Sequence, residues 1–123
     1  MAEARLLLVE DEDDLRMLVG EALRLLGFSV ASVSDGVAAV AALEQERFDV
    51  VVSDVSMPNG MSGIDLVGHA ARLQPDSRII LVSGYARAQL PPLPGNVVFL
   101  PKPYRIAQLA ELLREKLAVG GHA

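Results

Sequence analysis

Acidic residues are grouped at one point in the chain, and other chemically active residues follow separate apolar runs. Residues 10–14 are five consecutive acids, and Asp54 comes just after the apolar run 50–52. Ser83 and Lys102 come just after two later apolar runs. Carboxylates held close together raise one another's pKa unless a cation neutralises them, and Mg²⁺ prefers oxygen ligands. A carboxylate can also attack phosphorus, so these residue types predict a Mg²⁺-dependent phosphoryl-transfer site.

Each member of this set can be given a chemical role. We expect Asp11 and Asp54 to ligate Mg²⁺ directly, with Glu10 acting through a water. Asp54 is also the candidate nucleophile. Lys102 can place a positive charge on the phosphoryl oxygens, and Ser83 can donate a hydroxyl hydrogen bond to them.

Taken alone, each of these residues has a simpler explanation. Residues 10–14 could be a solvated acidic turn at the start of a helix, where acids are favoured. Asp54 could be a turn residue, Ser83 a hydrogen bonder at a strand end, and Lys102 a surface lysine. The coincidence favours the functional interpretation, because each of them follows a different predicted strand.

The elements that position these residues alternate in type along the chain. Short apolar runs predict buried strands, and apolar residues with a helical period predict helices. The predicted strands are 6–9, 28–33, 50–52, 78–82 and 97–100. The predicted helices are 15–26, 37–45, 64–73 and 104–118. Asp13 or Asp14 could cap the first helix, and Gly27 stands where that helix should end.

This alternation predicts a single α/β domain, a doubly wound five-stranded parallel sheet with helices on both faces. Ligands bind at the carboxyl ends of such strands, so the candidate residues should converge on one edge. Segment 86–96 breaks the alternation, because it holds three prolines and has no helical period. Proline lacks the backbone N–H that a helix needs, so we expect the fourth helix to be shortened or irregular.

Composition limits the remaining possibilities. The 123 residues are 51% hydrophobic and 22% charged, which predicts one domain with a folded core of about 4–118 and a flexible tail at 119–123. The chain has no cysteine, no secretory signal and no apolar stretch of membrane-spanning length, so we expect a cytoplasmic protein. A net charge of −5 disfavours direct binding to nucleic acid.

The sequence resembles the receiver domains of two-component response regulators over nearly its whole length. The segments that carry the resemblance are LLLVEDED, VVSDVSMPNGMSGIDL, IILVSGYA and FLPKPY. The resemblance implies a flavodoxin-like fold with strand order 2-1-3-4-5. The MPNGMSG loop is one residue longer than the usual pattern, and together with SGYA and LPKPY it resembles receivers that stand alone or work with hybrid histidine kinases.

The resemblance also implies how the acids act. Asp54 would accept a phosphoryl group from the phosphohistidine of a sensor or hybrid histidine kinase, or of a histidine phosphotransfer protein. Glu10 and Asp11 would hold Mg²⁺ or Mn²⁺ together with Asp54 and the backbone carbonyl of Ser56. Glu10 departs from the commoner Asp, and its longer side chain should still reach a metal-bound water.

Three further features follow from the same resemblance. Ser83 and Lys102 would bind the phosphoryl oxygens. Phe99 would be the aromatic residue that moves with Ser83 when the domain switches, although it could also be a simple core aromatic. The peptide bond between Lys102 and Pro103 would be cis, an isomer that proline makes accessible.

The implied function is a regulatory switch and not an enzyme that turns over a separate substrate. Phosphorylation would alter a protein-binding face for a downstream target, in a monomer or weak dimer. One alternative is a pseudo-receiver that binds proteins and is never phosphorylated. Another is a Mg²⁺-dependent phosphatase, which would be expected to carry a second acid close after the acceptor, where this chain has Val55 and Ser56. His69 and His122 are not expected to be catalytic.

Overall fold

A computed structural model describes residues 4–56, 61–84, 91–92 and 96–121. The strands are β1 Arg5–Val9, β2 Ser29–Val33, β3 Val50–Asp54, β4 Arg78–Ser83 and β5 Val97–Pro101. The helices are α1 Asp13–Leu25, α2 Gly36–Gln45, α3 Gly63–Leu73 and α4 Ile106–Gly121. None of the helices in these ranges is long and apolar enough to cross a membrane.

The five strands form one parallel sheet in the order β2-β1-β3-β4-β5. The predicted fold class and strand order are therefore confirmed. The register places Val9 beside Ser53, Asp54 beside Val82, and Ser83 beside Pro101. Because these strands are parallel and end at similar levels, the residues that follow them share one edge of the sheet.

Each face of the sheet packs against its own pair of helices, because successive side chains of a strand point to opposite faces. Leu7 and Val51 pack with buried residues of α2 and α3. Leu8 and Val52 pack with buried residues of α1 and α4. Burying one such side chain contributes about 1.5–3 kcal/mol. All five residues of β3 are buried, so Asp54 ends a strand that is buried along its whole length.

A neutral polar network joins the elements at the opposite edge of the sheet. The amide nitrogen of Gln74 donates to the carbonyl oxygens of Leu43, at 2.9 Å, and Glu46, at 2.5 Å. Its amide oxygen accepts from the N–H of Phe48 at 2.8 Å, and the Ser77 hydroxyl donates to the Phe48 carbonyl at 2.5 Å. Buried amides and carbonyls lose free energy when unpaired, so this network stabilises the ends of α2 and α3.

The start of α1 differs from the prediction. Neither Asp13 nor Asp14 is the cap; both lie in the first turn, and the cap position is Glu12, whose side chain makes no capping hydrogen bond. The end of α1 agrees with the prediction, because Gly27 has a φ of 100°. A positive φ is accessible to glycine because it has no Cβ.

The last helix begins and ends later than predicted. Tyr104 precedes the helix, which begins at Ile106. The N–H of Arg105 donates to the side-chain oxygen of Gln108 at 2.7 Å, so the Gln108 side chain provides a hydrogen-bond acceptor for a backbone N–H at the start of the helix. The helix also extends through Gly121, into the segment predicted to be a flexible tail, because glycine weakens a helix without removing its backbone donor.

The prediction for segment 86–96 falls mainly on residues outside the described ranges. Residues 91–92 and 96 are described, and 96 forms a turn before β5. A shortened or irregular helix in this segment therefore stays a prediction.

Candidate functional site

Four charged side chains meet at the carboxyl-terminal edge of the sheet. Glu10, Asp11 and Asp54 each place a carboxylate oxygen within 4.8 Å of the other two. The ammonium of Lys102 forms an ion pair with Oδ2 of Asp54. Because β4 lies between β3 and β5, Lys102 reaches across one strand to make this contact. The structure thus brings together the acids and the lysine that the sequence singled out.

The two acids that follow β1 differ in their surroundings. Glu10 is buried, with 7% of its surface exposed. Its N–H donates to the carbonyl of Val33 at 3.1 Å, and its Oε2 accepts from the N–H of Glu12 at 3.0 Å. Asp11 is exposed. Glu10 is therefore held by backbone groups on both sides, whereas Asp11 is open to solvent beside it.

Asp54 is the last residue of β3, and only 8% of its surface is exposed. Its Oδ1 accepts from the N–H of Ser56 at 3.0 Å. Its Oδ2 pairs with the ammonium of Lys102. One carboxylate oxygen is thus held by the backbone and the other by a long side chain that can move.

Lys102 is positioned by the backbone of the neighbouring strand. Its N–H donates to the carbonyl of Ser83 at 2.7 Å, and its peptide bond to Pro103 is cis, as predicted. Burial acts to lower the pKa of Lys102, but the hydrogen bond and the charge of Asp54, aided by Glu10, outweigh it. The pKa of Lys102 is therefore raised, so the lysine remains charged at neutral pH.

Negative charge dominates this edge of the sheet. Burial raises the pKa of the Glu10 carboxyl, and the side-chain hydrogen bond with Asp11 and the charge of Asp54 add to the rise. The hydrogen bond from the Glu12 backbone and the charge of Lys102 oppose it. Burial also raises the pKa of Tyr104, and the charge of Glu10 raises it further. A divalent cation at this position would relieve the repulsion among the acids.

The remaining predicted residues lie near the acids, and their roles stay predictions. Ser83 is buried at the end of β4. Phe99 is half-buried in β5, opposite Leu81. Ser56 is exposed, and its N–H already contacts Asp54, while its carbonyl remains the predicted metal ligand.

Tyr104 was missed as a member of the site. The sequence pattern assigned it to the last helix, whereas it lies in the turn after β5 and packs against the apolar core on the α1 side. The available signal was its position directly after Lys102 and Pro103, since residues beside a predicted site lysine are carried to the same edge.

The donor set fits a hard divalent cation. Glu10, Asp11 and Asp54 offer only oxygen atoms, carry negative charge and already lie within 4.8 Å of one another. Mg²⁺ binds through one or two carboxylates and keeps several waters, so three converging carboxylates are sufficient. The same edge also offers a carboxylate that could act as a nucleophile and an ammonium that could bind phosphoryl oxygens, and phosphoryl transfer uses both kinds of group.

Comparison with known proteins gives a consistent result. A family model described as the response regulator receiver domain matches residues 6–114. The sensor kinase CckA of Brucella abortus (strain 2308) is 41% identical over 119 residues, which cover 93% of this chain and 12% of that protein. The response regulator receiver protein CpdR of the same organism is 32% identical over 116 residues, which cover 92% of this chain and 96% of that protein.

The fold has solved counterparts as well. The crystal structure of the response regulator protein TrrA from Thermotoga maritima, in complex with Mg(2+)-BeF, matches with a TM-score of 0.81 at 27% identity. The match covers 92% of this chain and 98% of that one. These similarities confirm both the sheet topology and the resemblance seen in the sequence, which extends to a kinase and to a separate receiver protein.

Proposed function

The chain belongs to the family of response regulator receiver domains of two-component systems, and from that premise we propose that Asp54 is its phosphoacceptor. The donor would be the phosphohistidine of a sensor or hybrid histidine kinase, or of a histidine phosphotransfer protein. One observation carries the proposal: Asp54 is a buried carboxylate at a strand end that pairs with a lysine ammonium and lies within 4.8 Å of two further acids.

The proposed transfer gives each of these groups a role. An oxygen of Asp54 attacks phosphorus, a P–O bond forms, and the P–N bond to the donor imidazole breaks. The imidazole nitrogen keeps the electron pair and takes a proton. As the carboxylate loses its charge, Lys102 moves from Asp54 to the new phosphoryl oxygens, where the Ser83 hydroxyl donates a hydrogen bond.

Glu10, Asp11 and Asp54, with the backbone carbonyl of Ser56, would hold Mg²⁺ or Mn²⁺. Bound Mg²⁺ would offset negative charge on the oxygens of the transition state. TrrA is a receiver-type neighbour whose structure contains Mg²⁺, which supports this choice of ion. The burial of Glu10 and Asp54 lowers the local dielectric constant and strengthens their attraction for a cation.

Phosphorylation would change what the domain binds. The pairing of Lys102 with Asp54 would be replaced by contacts to the phosphoryl group, and Ser83 would move towards it. Phe99, half-buried on the neighbouring strand, would then repack and alter a protein-binding face. We expect a cytoplasmic regulatory domain, monomeric or weakly dimeric, that signals to a downstream protein.

The test is direct phosphorylation of the purified domain. We expect incubation with Mg²⁺ and acetyl phosphate to give one base-labile phosphate adduct by intact mass, and Asp54→Asn to give none. An adduct that persists in Asp54→Asn would show that another residue is the acceptor.

A phosphorylated histidine kinase, used as a second phosphoryl donor, distinguishes a phosphoacceptor from a pseudo-receiver. If wild-type protein stays unmodified with acetyl phosphate and with a phosphorylated histidine kinase, the pseudo-receiver alternative would replace our proposal. Chelation of Mg²⁺ should abolish the adduct, since the acids alone repel an incoming phosphoryl group.

A further inference from the structure

A single arginine holds the turn that carries the candidate metal ligands. Arg16 lies in the first turns of α1, and its side chain is only 22% exposed. Its Nη1 donates to the carbonyl oxygen of Glu10 at 2.9 Å. Its Nη2 donates to a carboxylate oxygen of Asp13 at 2.6 Å. The guanidinium thus connects the end of β1 to the start of α1 across the acidic turn.

The turn needs such a support, because α1 lacks the capping contact that two other helices have. The side chain of Asp35 accepts from a backbone N–H at the start of α2, and Ser62 does the same at the start of α3. The side chain at the corresponding position of α1, Glu12, makes no capping hydrogen bond. The five acids at 10–14 also repel one another, which favours an open turn.

We propose that Arg16 is a positioning residue that keeps Glu10 and Asp11 in the arrangement that binds a divalent cation. The inference rests on the proposed Mg²⁺ site. Arg16 acts on the backbone of Glu10 and not on the ion itself. Its planar fork can make two hydrogen bonds in fixed directions, whereas a lysine ammonium is a flexible point charge.

A positioning role and a simple charge effect predict opposite changes in Mg²⁺ affinity when Arg16 is replaced. The positive charge of Arg16 repels a cation, so a residue acting by charge alone would tighten Mg²⁺ binding when removed. A residue that orients ligands should weaken Mg²⁺ binding when removed, by about 10-fold or more. The sign of the change in affinity therefore distinguishes the two roles.

The experiment measures Mg²⁺ affinity from amide chemical shifts of residues 10–12 in the full chain. We expect both Arg16→Met and Arg16→Lys to weaken Mg²⁺ binding by about 10-fold or more, because neither retains the fork. Tighter binding by Arg16→Met together with unchanged binding by Arg16→Lys would overturn the proposal in favour of a pure charge effect.

Arg24 provides the matched control. It lies on the same helix, and its Nη2 donates at 2.9 Å to the carbonyl of Val30, a backbone group outside the acidic turn. We expect Arg24→Met to bind Mg²⁺ as tightly as wild type or slightly more tightly. Weakening equal to that of Arg16→Met would overturn the proposal, because the effect would then belong to α1 as a whole.

The same measurement tells whether the proposed Mg²⁺ site is wrong or only the proposed role of Arg16. Absence of saturable Mg²⁺ binding by the wild type would overturn the metal site, and the role of Arg16 with it. Normal binding by the wild type and by both Arg16 variants would overturn only the role of Arg16. If Arg16→Met does not fold, Arg16→Lys, which keeps the charge, decides the matter by the same measurement.

Discussion

Lys102 and Asp54 depend on each other at the level of single residues. The lysine is partly buried, which alone would lower its pKa, and the contact with Asp54 reverses that effect. Asp54 in turn has one oxygen held by the N–H of Ser56 and the other by this ammonium. Loss of either charge should therefore be visible at the other residue.

We predict that Asp54→Asn lowers the pKa of Lys102 relative to the wild-type protein without metal. Burial would remain and the main opposing interaction would be gone. The measurement is a pH titration of lysine side-chain carbon resonances. The chain has one other lysine, Lys116, which gives an internal reference signal. An unchanged titration of Lys102 would contradict the ion pair.

The same pairing fixes the direction of one pH effect on stability. The pKa of Lys102 in the folded protein lies above its ordinary value of 10.5. Its stabilising contribution should be complete below pH 10.5 and should disappear as the pH rises through the raised pKa. Urea unfolding at increasing alkaline pH should show this loss in the wild type and a smaller one in Asp54→Asn.

At the level of elements, the connection from β3 to α3 returns closely onto the acceptor strand. The N–H of Gly63 donates to the carbonyl of Val55 at 2.8 Å. A Cβ at Gly63 would lie far inside the normal contact distance from the carbonyl oxygen of Asp54. Only glycine allows the start of α3 to approach the backbone of the acceptor this closely.

We predict that Gly63→Ala destabilises the protein by about 1–3 kcal/mol, the usual range for an added methyl group that forces a backbone shift. Urea unfolding gives the value. Gly68→Ala is the matched control, because Gly68 lies on the same helix and a Cβ there would meet nothing within 4 Å. That change should stabilise the protein by about 0.5–1 kcal/mol.

The two glycine variants should therefore move in opposite directions. Equal effects would mean that α3 responds to alanine by its helix propensity alone. The backbone around Gly63 and Asp54 would then have room for a Cβ, against the close approach described above.

The elements themselves were largely predictable, and contacts between side chain and backbone were not. Val50-Val51-Val52 predicted β3 because β-branched runs fit a buried parallel strand, and the positive φ of Gly27 was foreseeable from its place after a helix. The contact of Arg16 with the Glu10 carbonyl depends on the geometry of a turn, which residue periodicity does not report. The sequence did predict that the acids lie close together, because the carboxyl ends of parallel strands lie at the same edge of a sheet. That prediction needs only the topology and no side-chain geometry.

At the level of the whole molecule, the acidic edge is a local source of instability. Glu10, Asp11 and Asp54 lie within 4.8 Å of one another, and the ammonium of Lys102, which pairs with Asp54, offsets part of their charge. A ligand that binds only the folded state adds stability by mass action, about 2.7 kcal/mol at 100 times its dissociation constant. The stability of the protein should therefore rise with Mg²⁺.

We predict that Asp11→Asn raises the free energy of unfolding when Mg²⁺ is chelated and reduces the gain that Mg²⁺ produces. The substitution removes one repelling charge and one candidate ligand together. Urea unfolding with and without Mg²⁺ measures both effects. Asp76→Asn, which changes the charge equally at an exposed residue before β4, should show neither. A full Mg²⁺ gain in Asp11→Asn would exclude Asp11 as a ligand.

The neutral network around Gln74 has a consequence for how the molecule responds to its surroundings. Amides, carbonyls and hydroxyls such as that of Ser77 do not change charge over the ordinary pH range. A change of pH within that range, or of divalent ion at the acidic edge, therefore leaves the charge of this network unchanged. The ends of α2 and α3 are thus joined by contacts that carry no titratable charge, while the opposite edge of the sheet holds the acids and the lysine that a ligand would act on.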